Sequence, residues 1–295
     1  MQRRPIKHFL EYLLVLALYY PSRLFSIDAT SAFFGLALEK IGPLLKPAAN
    51  KRIKRNIAIC FPDFSPEKVD ETARKSWNNL GRFIGEFPHM EKLSGEALWG
   101  RVKVEGTHHL DAAVKSGKGC IVFSGHFANW EIIAKSSYEY GVPPALIYRP
   151  ANNRLVNKLI LKARGKSHAG IYGKGAESTR GIFKVLKKKG VAGMLVDQKT
   201  NEGLKLKFFG RDAMTTPGPA QLALALDCIL LPVVVFRENG ANFLVRVEPP
   251  LQYEKTGDGE KDAAAIMQQI NDILERWVRE HPEQWLWLHR RWVEN

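Results

Sequence analysis

The chain has 295 residues, no internal repeat and no low-complexity break, so it reads as one large domain with an N-terminal extension, long enough to bury a full core. Forty-four Lys and Arg against thirty Asp and Glu leave a formal charge of +14, which calls for a polyanionic partner: nucleic acid, an anionic bilayer face or a phosphorylated substrate. Cys60, Cys120 and Cys228 sit far apart in apolar stretches with no second Cys or His at ligand spacing. This points away from a metal site and a disulfide framework and toward buried thiols in a reducing compartment.

At the N-terminus, Arg3, Arg4 and Lys7 precede an apolar run from Phe9 to Tyr20, broken only by Glu11 and stopped by Pro21 and Arg23. A straight bilayer span needs about 20 apolar residues, so the run is short, and no small-x-small cleavage pattern follows it. A second, moderately apolar stretch from Leu24 to Leu45 carries Asp28, Glu39 and Lys40, and Lys46, Lys51, Arg52, Lys54 and Arg55 come after it. With cations on both sides, the charge bias gives no crossing direction. The pattern predicts a membrane-anchoring helix and interfacial helices over residues 1–48, tilted or lying in the interface. The basic face of a domain over 49–295 then rests on the anionic cytoplasmic leaflet. An ordinary buried helix is the competing reading, against which Tyr12, Tyr19 and Tyr20 suit an interface.

Residues 66–87 predict a helix, with Pro66 in its first turn and Val69, Ala73, Trp77, Leu80 and Ile84 at three- and four-residue spacing. From about residue 100 short β-branched runs alternate with amphipathic stretches. Strands are expected at 102–104, 120–123, 145–148, 191–196, 204–209, 229–236 and 243–247, and helices near 107–117, 128–140, 152–164, 175–189 and 217–227. A closing helix from Asp262 to Val278 aligns Ile266, Ile270, Ile273, Leu274 and Trp277 on one stripe. The alternation predicts an α/β fold with a mixed central sheet flanked by helices, and chemistry just beyond the strand ends.

One such end carries Ser124-Gly125-His126-Phe127-Ala128-Asn129-Trp130-Glu131. Gly125 permits an unusual backbone angle or a close approach by substrate, and Glu131 is placed to reach back to the imidazole, as a His general base requires. The bare spacing proves nothing, because His289 also has an acid five positions on, Glu294, without a strand or Gly before it. From the residues alone, catalysis stands beside a capping or packing role.

This segment resembles the His-x4-acid motif of the late lipid A acyltransferases, the lauroyl/myristoyl acyltransferase family within the glycerolipid acyltransferase superfamily. Tyr148-Arg149-Pro150, Asp197-Gln198, Thr216-Pro217-Gly218-Pro219 and His281-Pro282-Glu283-Gln284-Trp285-Leu286-Trp287 through Arg290-Arg291 look like that family in the same order. Ala128 departs from it, since the family often has Gly there. The resemblance implies transfer of a fatty acyl chain from acyl carrier protein to a hydroxyl of an acylated, phosphorylated disaccharide, a lipid A precursor, at the cytoplasmic face of the inner membrane, with acyl-CoA the alternative donor if the acceptor is another lipid. It implies His126 and Glu131 as the catalytic pair and no cofactor beyond the thioester donor, and Arg164 and Asp197 match positions the family uses at its active site. Arg149, Arg164, Asp197, Gln198 and Asn129 are the candidate substrate-binding or oxyanion groups, with surface cations or a sheet-edge carboxylate as the plainer reading of the charged ones.

Glu177-Ser178-Thr179-Arg180 is similar to the Glu-Gly-Thr-Arg motif of the superfamily but also suits a helix start. The Trp- and Arg-rich tail fits either core packing or interface contact. Rival functions are an acyltransferase acting on a glycerophospholipid, glycolipid or aminolipid, a nucleic-acid binder and a membrane scaffold. No helix-turn-helix, zinc finger or aromatic RNA-binding motif accompanies the scattered cations, so nucleic acid is not the expected partner.

Overall fold

A computed structural model describes residues 5–165, 167–173 and 176–292. Four helices come first: α1 (Pro5–Ser22), α2 (Ile27–Leu45), α3 (Pro47–Cys60) and α4 (Pro66–Glu86). Ser65 caps α4 by accepting from the Lys68 N–H, with Pro66 at the first turn as its sequence requires. The short α5 (Glu96–Trp99) leads into the α/β part. Its order is β1 (Val102–Glu105), α6 (Thr107–Lys115), β2 (Cys120–Ser124), α7 (Glu131–Glu139), β3 (Ala145–Tyr148), α8 (Arg154–Arg164), β4 (Gly170–Gly173), α9 (Ala176–Lys187), β5 (Val191–Leu195), β6 (Leu204–Phe208), β7 (Arg211–Thr215), α10 (Gly218–Leu226), β8 (Ile229–Asn239), β9 (Asn242–Val247) and α11 (Gly259–Glu280).

Seven strands form one sheet in the order β1-β9-β8-β2-β5-β3-β4, parallel throughout except for β8 against β9. The mixed α/β architecture expected from the alternation is therefore present. β6 and β7 pair antiparallel as a separate hairpin outside that sheet. β4 and β7 and the helix α3 add to the elements expected from the sequence.

Strand alternation divides the core into two layers. Ile121, Phe123, Ala192, Met194, Leu230 and Val234 pack with α4, α9, α10, α11 and the C-terminal tail. Cys120, Val122, Val191, Leu231, Val233 and Val235 pack with α6 and α7 on the other face. Covered on both sides, β2 is buried at every position, which accounts for its uninterrupted apolar run. On α11 the expected stripe faces inward: Ile266, Ile270, Leu274 and Trp277 are buried.

α2 lies along α4 at backbone contact. A Cβ on Gly81 would fall 2.1 Å from the Phe34 carbonyl oxygen, and one on Gly85 2.3 Å from that of Thr30. At the end of α4, buried Glu86 accepts from Ser31 (2.7 Å) and Asn129 (2.9 Å) and pairs with Arg237. The outward faces of α1 and α2 and of the turn between them expose Phe9, Leu13, Leu24, Phe25, Phe33 and Leu44. Among the described residues no helix is long and apolar enough to cross a membrane.

The tail resolves in favour of packing. Trp285, Trp287, Arg291 and Trp292 are all buried, and Arg291 donates to the Met214 carbonyl, Thr215 Oγ1 and Asn271 Oδ1.

Candidate active site

β2 and β5 are neighbours in register, Ser124 opposite Leu195, and the Val196 N–H donates to the Ser124 carbonyl at 2.9 Å. Two residues past each strand end stand His126 and Asp197, side by side. Asp197 is 0 % exposed, and its carboxylate accepts from His126 Nδ1 (2.7 Å), the His126 backbone N–H (2.8 Å) and Trp285 Nε1 (2.9 Å). Burial by itself pushes this carboxyl up, but the His126 ring, both His126 hydrogen bonds and the field of His289 hold it well below the usual carboxylate range. An ionised carboxylate can only accept, so His126 Nδ1 carries a proton, and in the tautomer this selects the ring's lone pair lies on Nε2. That nitrogen faces a cavity.

The expected pairing of His126 with Glu131 is not formed. Residues 126–130 make an irregular turn in which Ala128 takes a left-handed φ of 42°, and α7 begins only at Glu131. The turn is held by the C-terminal segment: the Leu286 N–H donates to the His126 carbonyl and the Ala128 N–H to that of Gln284. Glu131 therefore leaves the turn in another direction and binds Arg164 in a bidentate pair, 2.9 Å from Nε and 2.6 Å from Nη2. A φ of this sign is one that glycine adopts without strain and alanine does not. Gly125 needs no unusual φ. A Cβ there would meet the Phe127 ring at 2.8 Å and Asp197 Oδ2 at 3.2 Å, so glycine serves close packing beneath the dyad and not the approach of a substrate.

The remaining candidates separate clearly. Arg164 lies with its guanidinium 5.5 Å from the Tyr148 ring centroid and its Nη1 buried without a hydrogen-bond partner. Arg149 is exposed on the cavity rim. Gln198 also lines the cavity, its amide nitrogen 3.0 Å from His126 Nε2 and 2.9 Å from His289 Nε2. Asn129 is the exception: it is 0 % exposed, bonds Glu86 and takes no part in the cavity wall, so its place in the fold is structural. The side chains of Glu177 and Ser178 lie outside the described residues, as does Glu294.

Two groups come to the site without having been singled out for it. Trp130 stacks on Phe83 at 4.0 Å and presents an edge to His126 at 4.9 Å between centroids. His289, from the tail, sits with its ring 5.2 Å from that of His126. Burial and the adjacent His126 ring push His289 down to about 4, so it is neutral at pH 7.

The cavity measures about 1290 Å³ and is walled mainly by apolar side chains, among them Leu18, Phe34, Phe83, Ile182, Met194 and Leu222. The three thiols make poor candidate nucleophiles. Burial pushes Cys60 and Cys120 up to about 12 and Cys228 to about 11, leaving each protonated. Among the described residues no group of three or more His, Cys, Asp or Glu is placed to hold a metal ion.

An imidazole oriented by a buried carboxylate on the wall of a largely apolar cavity suits acyl transfer, and comparison with known proteins agrees that this is an acyltransferase. The family model for the bacterial lipid A biosynthesis acyltransferases matches residues 6–294, and the chain belongs to that family. Similar curated proteins include the lipid A biosynthesis palmitoleoyltransferase of Escherichia coli (strain K12), 27% identical over 261 residues, covering 85% of this chain and 82% of the relative. The lauroyltransferase of the same organism is 25% identical over 263 residues, 87% and 83% of the two chains. A phosphatidylinositol mannoside acyltransferase of Mycolicibacterium smegmatis is 24% identical over 249 residues, 82% of this chain and 79% of the relative.

Proposed function

We propose that the protein transfers a fatty acyl chain from acyl carrier protein to a hydroxyl of an acylated, phosphorylated disaccharide, a lipid A precursor, at the cytoplasmic face of the inner membrane. The observation that carries this reading is His126, its Nδ1 committed to buried Asp197 at 2.7 Å and its Nε2 facing the apolar cavity. In this mechanism Nε2 takes the proton of the acceptor hydroxyl while the oxygen attacks the thioester carbonyl. Asp197 stabilises the imidazolium, and the proton passes to the departing thiolate as the C–S bond breaks. Arg164, held by Glu131, offers its unpartnered Nη1 to the carbonyl oxygen as charge grows on it or to a substrate phosphate, and Arg149 and Gln198 stand nearby on the wall. The chemistry calls for no cofactor beyond the thioester, with acyl-CoA the alternative donor.

Residues 1–48 form the interfacial layer in this reading and 49–295 the acyltransferase domain. The exposed apolar faces of α1 and α2, followed by the cations Lys46, Lys51 and Lys54, support attachment in the plane of an anionic leaflet. A glycolipid acceptor is the second reading, favoured by the likeness to phosphatidylinositol mannoside acyltransferases. Mass spectrometry of total lipid with and without the gene separates the two. A lipid A species lighter by one acyl chain in the deletion supports the first, a lighter mannolipid the second, and an unchanged lipid profile refutes both.

A further inference from the structure

The lone pair that the proposed base needs is already engaged. Gln198 follows Asp197 at the end of β5, and its exposed side chain crosses the cavity wall to place one amide nitrogen 3.0 Å from His126 Nε2 and 2.9 Å from His289 Nε2. An amide nitrogen carries two N–H groups and no lone pair to share, so it satisfies two imidazole acceptors at once. Both imidazoles must then be neutral with unprotonated Nε2. Asp197, accepting from Nδ1, fixes the tautomer of His126 that leaves Nε2 free to accept, and the depressed titration of His289 keeps that ring neutral. The amide thus occupies the position that an acceptor hydroxyl must take.

We infer that Gln198, pinned by His289, is a latch on the general base that keeps water from hydrolysing the bound thioester until the lipid acceptor displaces it. The inference rests on His126 being the base. The suppressed side reaction is the transfer reaction with water in place of the lipid: the water oxygen bonds to the carbonyl carbon, its proton passes through Nε2 to the sulfur, and the C–S bond breaks to give a free fatty acid and a thiol. Discrimination follows from binding energy. Opening the latch forfeits two modest hydrogen bonds. A lipid acceptor, held in the cleft by its phosphate and acyl chains, presents its hydroxyl at high effective concentration and offsets that loss. Water makes no other contact with the site and does not.

His289 is a positioning residue in this scheme, acting on the base through Gln198. Its place near the chain end explains why the tail returns to the site: Leu286 and Gln284 fix the His126 turn while His289 fixes the amide above it.

The test uses the full-length protein in detergent micelles with lauroyl thioesters of coenzyme A and of acyl carrier protein. Thiol release is followed without acceptor, and product lipid with an acylated, phosphorylated glucosamine disaccharide. Gln198→Leu, which keeps bulk and removes both donors, is expected to raise the ratio of hydrolysis to transfer roughly tenfold, the factor that loss of one or two such bonds to the resting base allows. His289→Phe shifts the ratio the same way by a smaller factor, and His126→Ala abolishes both reactions. An unchanged or lower ratio in both Gln198→Leu and His289→Phe overturns the latch. Hydrolysis that persists in His126→Ala overturns instead the assignment of the base on which it rests.

Discussion

Replacing Asp197 with asparagine removes one charge and keeps the side chain's outline, yet the structure makes it the most damaging conservative change available. The carboxylate receives three donors, His126 Nδ1 at 2.7 Å, the His126 backbone N–H at 2.8 Å and Trp285 Nε1 at 2.9 Å, and an amide offers one accepting oxygen. If the amide nitrogen faces Nδ1, the imidazole moves its proton to Nε2 and loses the lone pair that points into the cavity. If the oxygen faces Nδ1, the amide nitrogen opposes two N–H groups in a site with no solvent. Either way the imidazolium loses its counter-charge, and the expected fall in turnover is about 10³–10⁴-fold, the size of this change where a carboxylate orients a His base. Buried donors left unsatisfied also destabilise the fold by about 1–3 kcal/mol each. Glu131→Gln is the internal control. It keeps an acceptor for Arg164 and weakens one charge-assisted pair, for an expected loss of roughly 10- to 150-fold. Thiol release from a lauroyl thioester in the presence of the lipid acceptor measures both, with thermal melts to confirm folding. A folded Asp197→Asn enzyme within tenfold of wild type, beside a Glu131→Gln enzyme down by a thousandfold, would return the role of orienting carboxylate to Glu131 and refute the reasoning.

Because His289 titrates near 4 in the folded chain against an ordinary 6.5, the unfolded state takes up a proton that the folded state refuses. The stabilisation is full above pH 6.5 and is lost as pH falls toward 4, about 3 kcal/mol in all, so His289→Phe should show a shallower drop in melting temperature between pH 7 and 4.5. An identical slope in the variant removes the argument. Gly81→Leu forces α2 and α4 apart where the Phe34 carbonyl lies 2.1 Å from the new Cβ, and should cost several kcal/mol, read as a lowered unfolding midpoint in urea. A midpoint within error of wild type would mean the two helices separate freely. Phe25→Asp, at the exposed turn between α1 and α2, should weaken sedimentation with anionic vesicles by roughly tenfold or more, since even one apolar side chain withdrawn from the interface is worth about 1.5–3 kcal/mol. Undiminished sedimentation would place the membrane contact elsewhere.

The α/β alternation is legible because a strand buried on both faces reads as an unbroken apolar run, as Cys120–Phe123 does, and because Ser65-Pro66 and the α11 stripe carry their own signals. β4 escaped because Gly170-Ile171-Tyr172-Gly173 is a four-residue edge strand bounded by glycines. β6 was found but its hairpin was not, since the pairing partner Arg211–Thr215 has no apolar alternation to announce it. At the site, position on a strand end identified His126. Its partner could not be found by counting along the chain, because the link to Asp197 runs through the pairing of β2 with β5, 71 residues away in sequence. Local spacing favours Glu131 only for a helical turn, and a left-handed Ala128 removes that geometry. The role of His289 depends in the same way on how the tail folds back.

One helix joins the two ends of this molecule. α4 meets the greasy outer layer through Gly81 and Gly85, and a single turn holds both Phe83, stacked on the Trp130 that edges the imidazole, and Glu86, which grips Asn129 from the same turn as His126. α1 meanwhile supplies Val15, Leu18 and Tyr19 to the cavity beside His126. Pruning the N-terminal helices to make a more tractable enzyme would therefore remove a wall of the reaction vessel and loosen its floor. Lost turnover in such a truncation would report on the architecture of the site as much as on contact with the bilayer.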